Sequence, residues 1–79
     1  MEINTEVSKN AIIEIFEDIN KNLNKIKGFN LQYEKDSIIP CWLDADKYTL
    51  AENYIKIYTK RANQTVYIPF YNIIKIEIF

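Results

Sequence analysis

The hydrophobic pattern changes its period at Gly28, the single glycine of this chain. Before Gly28, apolar residues recur every three or four positions, which is the spacing of one helix face. After Gly28, apolar and polar residues alternate, as they do along a strand with one buried face. The pattern therefore predicts a helix over about residues 6–27 and a β-sheet region over about residues 29–79, within one domain of residues 1–79.

The predicted helix is amphipathic. Its apolar stripe consists of Val7, Ile12, Ile15, Phe16, Ile19, Leu23 and Ile26. In its second half the acidic residues Glu14, Glu17 and Asp18 precede Lys21, Lys25 and Lys27, an order that the helix dipole favours. Asn4 or Thr5 is the expected N-cap, and Gly28 is the expected left-handed residue after the last turn.

Strand-like segments follow at residues 29–33, 38–43, 54–60, 65–71 and 74–78. They predict an α+β fold in which the N-terminal helix packs on a bent antiparallel sheet of four or five strands. Residues 38–43 are apolar on both faces, which favours an interior strand with Pro40 at its edge or at a bulge. A sheet of this size tends to curl into a small barrel.

The last third of the chain predicts an antiparallel hairpin that Arg61–Gln64 closes. Its apolar face pairs Ile55 with Phe70, Ile57 with Ile68 and Thr59 with Val66. The opposite face pairs Tyr54 with Tyr71, Lys56 with Pro69 and Tyr58 with Tyr67. Because tyrosine is enriched at interface hot spots and stacks on bases, this second face and the hairpin tip are the candidate binding site. The site comprises Tyr54, Lys56, Tyr58, Lys60, Arg61, Tyr67 and Tyr71.

Two structural interpretations of these tyrosines stay open. Tyrosine has a high β propensity, and cross-strand tyrosine pairs stabilise a hairpin without contacting any partner. Alternatively, the N-terminal helix covers this face and makes it part of the core.

The C-terminal strand is apolar on both faces. Such a strand is either central in its sheet or an edge that pairs with another copy of the chain. Edge pairing is favoured, because a small domain has little interior in which to hide so many isoleucines. The candidate interface of this homo-oligomer comprises Ile74, Ile76, Ile78 and Phe79.

Composition narrows the chemistry. Ten Lys plus Arg against eleven Asp plus Glu give a net charge of −1, which argues against coating nucleic acid through bulk positive charge. The chain has no histidine, so Cys41 lacks its usual catalytic partner and is expected to be a buried structural residue. No catalytic residue, cofactor or metal site is expected. The carboxylates of the predicted turns lack the spacing of a calcium loop and are expected to be solvated: Glu34, Asp36, Asp44, Asp46 and Glu52.

Targeting features indicate the cytoplasm. The start MEINTEVSKN is polar and acidic, unlike a signal peptide. The longest apolar run, Ile38–Leu43, is far shorter than the ~20 residues of a membrane-spanning helix, so no membrane contact is expected. One unpaired cysteine fits a reducing compartment. Abundant Ile, Asn and Lys are typical of AT-rich coding, as in low-GC bacteria and their phages.

The closing segment TVYIPFYNIIKI, residues 65–76, resembles that of the Sm-like small barrels, the family of the bacterial RNA-chaperone rings. In that family a leading helix precedes the short strands, and a tight turn with an Asn-Ile pair, matched here by Asn72-Ile73, leads into the last strand. The resemblance implies a small barrel whose last strand pairs with a neighbouring subunit. The segment is also similar to hairpins of bacterial PH-like domains.

Three functions are compatible with these features. The favoured one is a non-catalytic binding module that contacts a protein partner as a regulator or inhibitor, encoded by a phage or mobile element. The tyrosines or the acidic helix surface of Glu14, Glu17 and Asp18 would carry the contact. The alternative is an Sm-like oligomer that binds nucleic acid or a small nucleotide through its tyrosines and lysines. The third is a structural oligomer in which the tyrosines and the last strand serve assembly alone.

Overall fold

The computed structural model describes residues 9–79, which form one helix and two antiparallel sheets. The elements are α1 (Lys9–Lys21), β1 (Gly28–Tyr33), β2 (Ser37–Trp42), β3 (Lys47–Leu50), β4 (Tyr54–Thr59), β5 (Gln64–Pro69), a 3-10 turn (Phe70–Asn72) and β6 (Ile73–Ile78). Sheet A has the strand order β2-β1-β6, and sheet B has the order β3-β4-β5. The predicted α+β class is confirmed, although the strands form two three-stranded sheets rather than one bent sheet.

Helix α1 ends at Lys21, so the predicted end at residue 27 is wrong. The cause is Asn22, whose side-chain amide donates to the Asp18 carbonyl at 2.8 Å. In a continuing α-helix the Asn22 backbone N–H would take that carbonyl, but here it donates to Ile19 at 3.1 Å instead. Leu23 therefore lies beyond the helix and is 52% exposed.

The start of the predicted helix lies outside the described residues, together with its proposed N-caps and Val7. The stripe itself is confirmed within α1, where Ile12, Phe16 and Ile19 are buried. These side chains pack on the inner faces of the two sheets. The buried core comprises Ile12, Phe16, Ile19, Phe29, Leu31, Ile39, Cys41, Ile55, Ile57, Ile68, Phe70 and Ile73.

Gly28 is the first residue of β1 and not a helix cap. Its backbone does not adopt the left-handed conformation. A glycine is required here because the neighbouring atoms leave no room for a Cβ. A Cβ at Gly28 would collide with the carbonyl oxygen of Cys41 and lie 3.0 Å from the Phe79 ring. Phe79 meets Trp42 edge to face beside this glycine, with ring centroids 4.9 Å apart.

Strand β2 lies at the edge of sheet A, so the predicted interior position is wrong. Ile38, Pro40 and Trp42 are exposed on its outer face, which explains why its sequence is apolar on both sides. Proline has no backbone N–H to donate to a neighbouring strand. An edge strand such as β2 tolerates Pro40, because no strand within residues 9–79 lies on its outer side to receive that bond. Strand β3, which the sequence did not indicate, pairs with β4 and turns Tyr48 and Leu50 toward the core.

Candidate binding surface on sheet B

The turn between β4 and β5 decides which residues meet across the hairpin. It spans Lys60–Asn63 rather than Arg61–Gln64, and the Asn63 N–H donates to the Lys60 carbonyl at 3.2 Å. Asn63 has a φ of 50°, a left-handed conformation that asparagine tolerates better than most residues. Each strand residue therefore meets a partner two positions from the predicted one. Because the shift is even, every side chain within β4 and β5 keeps its predicted face.

The individual pairs differ from the prediction. All six predicted pairs are wrong. They are Tyr54 with Tyr71, Ile55 with Phe70, Lys56 with Pro69, Ile57 with Ile68, Tyr58 with Tyr67 and Thr59 with Val66. The observed partners are Tyr54 with Pro69, Ile55 with Ile68, Lys56 with Tyr67, Ile57 with Val66, Tyr58 with Thr65 and Thr59 with Gln64. Tyr71 leaves the sheet and lies in the 3-10 turn, where it is 73% exposed.

We call the outward side of sheet B the tyrosine face. By strand alternation it carries Lys47, Thr49, Tyr54, Lys56, Tyr58, Thr65, Tyr67 and Pro69. At its centre the rings of Tyr54 and Tyr67 lie 5.7 Å apart, and the Lys56 ammonium lies 5.8 Å from the Tyr67 ring centroid. This distance is within the range of a cation–π contact.

Helix α1 does not cover the tyrosine face. Ile55, Ile57 and Ile68 are buried on the opposite side of the same strands, where the helix and sheet A pack. Tyr54 and Tyr67 are 40% and 59% exposed, respectively. The interpretation that these tyrosines belong to the core is therefore wrong for this pair.

Tyr58 differs from the other two tyrosines of the face. It is half-buried, and its hydroxyl donates to Asn63 Oδ1 at 3.0 Å. This bond ties the strand to the left-handed turn residue, so Tyr58 supports the turn. The tyrosine face also carries two lysines, Lys47 and Lys56, and no carboxylate.

Lys60 and Arg61 lie apart from the tyrosine face. Both cations line a groove together with Trp42 and the β2–β3 turn. Thr59 and Gln64, which lie on the core-facing side of the hairpin, line the same groove. The sequence predicts both cations on one surface with the tyrosines, at the tip of the same hairpin. The structure turns the tip toward sheet A.

Asp46 is a structural residue that the sequence prediction missed. Its Oδ2 accepts from the Trp42 N–H and its Oδ1 from the Lys60 N–H, each at 2.9 Å. The sequence predicts a solvated turn here, and the structure adds that the Asp46 carboxylate bonds to two backbone N–H groups. No sequence pattern marks the bond to Lys60, because the two residues are distant along the chain.

Cys41 is fully buried, as predicted. Burial, with a smaller contribution from the charge of Asp46, raises the pKa of its thiol to about 12. The thiol is therefore protonated at neutral pH and cannot act as a thiolate nucleophile there. Within residues 9–79 no three carboxylate or thiol groups converge as metal ligands do.

Strand β6 lies at an edge of sheet A, beside β1. The Gly28 N–H and carbonyl both bond to Phe79, so alternation places the peptide groups of Ile76 and Ile78 on the side away from β1. A bulge at Gln32/Tyr33 shifts the register near Ile74. Side chains alternate, with Lys75 and Glu77 forming an exposed ion pair at 3.2 Å.

The resemblance to Sm-like barrels is not confirmed. A 3-10 turn that includes Asn72 does lead into β6, but sheets A and B do not close into a barrel within the described part of the chain. No helix among residues 9–79 has the length and hydropathy to cross a bilayer. No family model matches this chain, and the search of curated proteins and that of solved structures returned no significant match.

Proposed function

We propose that this protein is a non-catalytic binding module that contacts a protein partner through the tyrosine face of sheet B. The observation that carries the proposal is the exposed contact between Tyr54 and Tyr67 beside Lys56. We propose that the protein acts as a regulator or stoichiometric inhibitor. Its abundant Ile, Asn and Lys are typical of AT-rich coding, which suits a phage or mobile element.

The tyrosine face is not needed to build the core. The opposite face of β4 and β5 already supplies Ile55, Ile57 and Ile68, all buried to 2% exposure or less. Cross-strand aromatic pairs contribute only roughly 0.2–1 kcal/mol to a sheet. The exposed rings therefore contribute little to the stability of the sheet. They can contribute more to the free energy of binding at an interface, where Tyr is enriched among hot spots.

The rings are also held in place before binding. Tyr54 and Tyr67 contact each other across a strand pair, and Lys56 lies near the second ring. Fixed side chains lose little conformational entropy on association, which improves affinity. The positive charge of Lys47 and Lys56 favours a partner surface that combines apolar and acidic groups.

An affinity capture with matched variants tests this proposal. Wild-type protein, Tyr54→Ala/Tyr67→Ala and Ile38→Ala are immobilised separately and exposed to bacterial lysate. Bound proteins are quantified by mass spectrometry and bound nucleic acid by ultraviolet absorbance. Ile38 is the control, because it is an exposed apolar residue on sheet A. We expect a protein that wild type and Ile38→Ala retain equally and that the double variant retains at least about tenfold less, a loss of ~1.4 kcal/mol.

Salt distinguishes a protein partner from nucleic acid. A contact dominated by tyrosine burial persists at about 0.5 M NaCl, whereas phosphate contacts weaken steeply with salt. Equal retention by wild type and the double variant contradicts the proposal. Capture of nucleic acid alone, lost at high salt, favours the alternative function instead. Circular dichroism confirms that each variant is folded.

We also propose that β6 mediates self-association. The supporting observation is its open edge, where the peptide groups of Ile76 and Ile78 have no partner among the described residues. Such edges pair readily with another strand. Native mass spectrometry gives the subunit count, and a monomer at all concentrations contradicts this second proposal.

A further inference from the structure

A groove separates the β2–β3 turn from the β4–β5 turn, on the side of the molecule away from the tyrosine face. Its volume is about 840 Å³, within the range of small-molecule sites. One wall carries Pro40, Trp42 and Asp44, and the other carries Lys60 and Arg61. The proposed function does not use this groove.

The two walls are joined by one carboxylate. Asp46 accepts the Trp42 N–H with one oxygen and the Lys60 N–H with the other, both at 2.9 Å. Hydrogen bonds to a charged acceptor are stronger than neutral ones. These two bonds fix the width of the groove before a ligand binds, and a preformed site lowers the entropic cost of binding.

The groove combines an aromatic wall with a cationic one. The indole of Trp42 is 46% exposed, and the edge-to-face contact with Phe79 holds it from one side. Lys60 and Arg61 are exposed and form no ion pair among the described residues. Both cations are therefore available to a ligand anion. Asp44, on the aromatic wall, likewise has no hydrogen bond or ion pair within residues 9–79.

We propose that this groove binds a nucleotide. The base stacks on Trp42, since stacking on an aromatic side chain is worth ~1–3 kcal/mol per base. The phosphate contacts Lys60 and the Arg61 guanidinium, which is suited to phosphate oxygens. The Asp44 carboxylate accepts a hydrogen bond from a ribose hydroxyl. One class of ligand thus uses the aromatic, cationic and acidic groups together.

An added peptide strand fits this groove less well. The β2 edge facing it presents Pro40, which has no N–H, and Trp42, whose N–H is taken by Asp46. The Trp42 carbonyl is also occupied, by the N–H groups of Ala45 at 3.0 Å and Asp46 at 2.7 Å. Strand addition needs a row of open donors and acceptors, so β2 cannot template it over this stretch.

The fluorescence of Trp42, the single tryptophan of the chain, reports directly on the groove. AMP and adenosine are titrated into wild type, Lys60→Ala/Arg61→Ala and Lys27→Ala, with excitation at the red edge of the tryptophan band. Lys27→Ala is the matched control, since Lys27 lies near Trp42 in a separate depression. We expect saturable quenching by AMP with at least about tenfold higher affinity than adenosine.

The variants assign the phosphate contact. In Lys60→Ala/Arg61→Ala we expect AMP to bind no better than adenosine, whereas Lys27→Ala keeps the wild-type preference. The proposal is overturned if AMP gives no saturable change, if AMP and adenosine bind equally to wild type, or if Lys27→Ala alone removes the preference. Because none of these variants alters the tyrosine face, the outcome is independent of the capture experiment.

Discussion

At the residue scale, Asp46 gives the sharpest prediction. Asp46→Asn leaves the size of the side chain unchanged but replaces a charged oxygen, so the bonds to the Trp42 and Lys60 N–H groups weaken or break. We expect a loss of about 1–3 kcal/mol in the free energy of unfolding, measured with urea. Asp44→Asn, in the same turn but without such bonds, should cost under about 0.5 kcal/mol. Equal losses in the free energy of unfolding for the two variants would show that the hydrogen bonds to the Asp46 carboxylate do not stabilise the fold.

Cys41 predicts a pH dependence of stability. In the unfolded chain its thiol has the ordinary pKa of 9.0, but burial raises the folded pKa to about 12. The unfolded state alone gains a charge between these values, so stability is full below pH 9 and declines as pH rises toward 12. The decline approaches ~1.4 kcal/mol per pH unit for one thiol.

Urea unfolding at about pH 8 and about pH 10 measures this effect, with Cys41→Ala as the comparison. The variant should lose less stability between the two pH values than wild type does. Tyr48 adds to the alkaline loss in both proteins, because burial raises its pKa in each; the smaller contribution of Cys41 to that pKa is present in wild type alone. Identical pH profiles for wild type and Cys41→Ala would contradict the burial of the thiol.

At the element scale, the end of helix α1 is open to a simple comparison. Ile19→Val removes one methylene group from a fully buried side chain and should cost about 1 kcal/mol. Leu23→Ala removes more atoms, but Leu23 lies beyond the helix and is half exposed, so the expected cost is below about 0.5 kcal/mol. Thermal or urea unfolding gives both values. A larger loss for Leu23→Ala would mean that the helix continues past Lys21.

Proline substitutions test the β6 edge without removing β6. The Ile78 N–H points away from β1, so Ile78→Pro should keep sheet A and lose self-association. The Glu77 N–H points toward Asn30, so Glu77→Pro should break a bond of the ladder and destabilise the fold. Light scattering and circular dichroism distinguish these outcomes. An unchanged oligomer in Ile78→Pro would rule out pairing at this edge.

Periodicity predicted the faces of the elements better than their partners. The side-chain faces of β4 and β5 follow from alternation alone, whereas their register depended on Asn63 adopting a left-handed conformation. The end of α1 depended on the side chain of Asn22 taking a backbone acceptor. Such competition between a side chain and the backbone leaves the hydrophobic pattern unchanged, so the pattern cannot reveal it.

Contacts between distant segments were the least predictable part of the site. The sequence predicts that Tyr54 and Tyr67 share one face of the hairpin, but it assigns each of them the wrong partner across the strands. The separation of Lys60 and Arg61 from that pair arises because Asp46 draws the hairpin tip toward β2. A single sequence carries no signal for this pairing.

At the scale of the whole molecule, one core supports two separate surfaces. Helix α1 and the inner faces of both sheets enclose a core with the ring cluster of Phe16, Phe29 and the partly buried Tyr48. Its buried isoleucines are Ile12, Ile19, Ile39, Ile55, Ile57, Ile68 and Ile73. This arrangement leaves the outer side of sheet B uncovered. The groove at Trp42 is lined by other residues, so the proposed partner and the proposed nucleotide would not compete for the same surface.

The proposed function requires the partner to cover the tyrosine face. Nitration of tyrosines by tetranitromethane, mapped by peptide mass spectrometry in the free protein and in the purified complex, tests it most directly. We predict that Tyr54 and Tyr67 react in the free protein and are protected in the complex, while Tyr71 on the 3-10 turn keeps its reactivity. Equal nitration of Tyr54 and Tyr67 in the free and bound protein would contradict the claim.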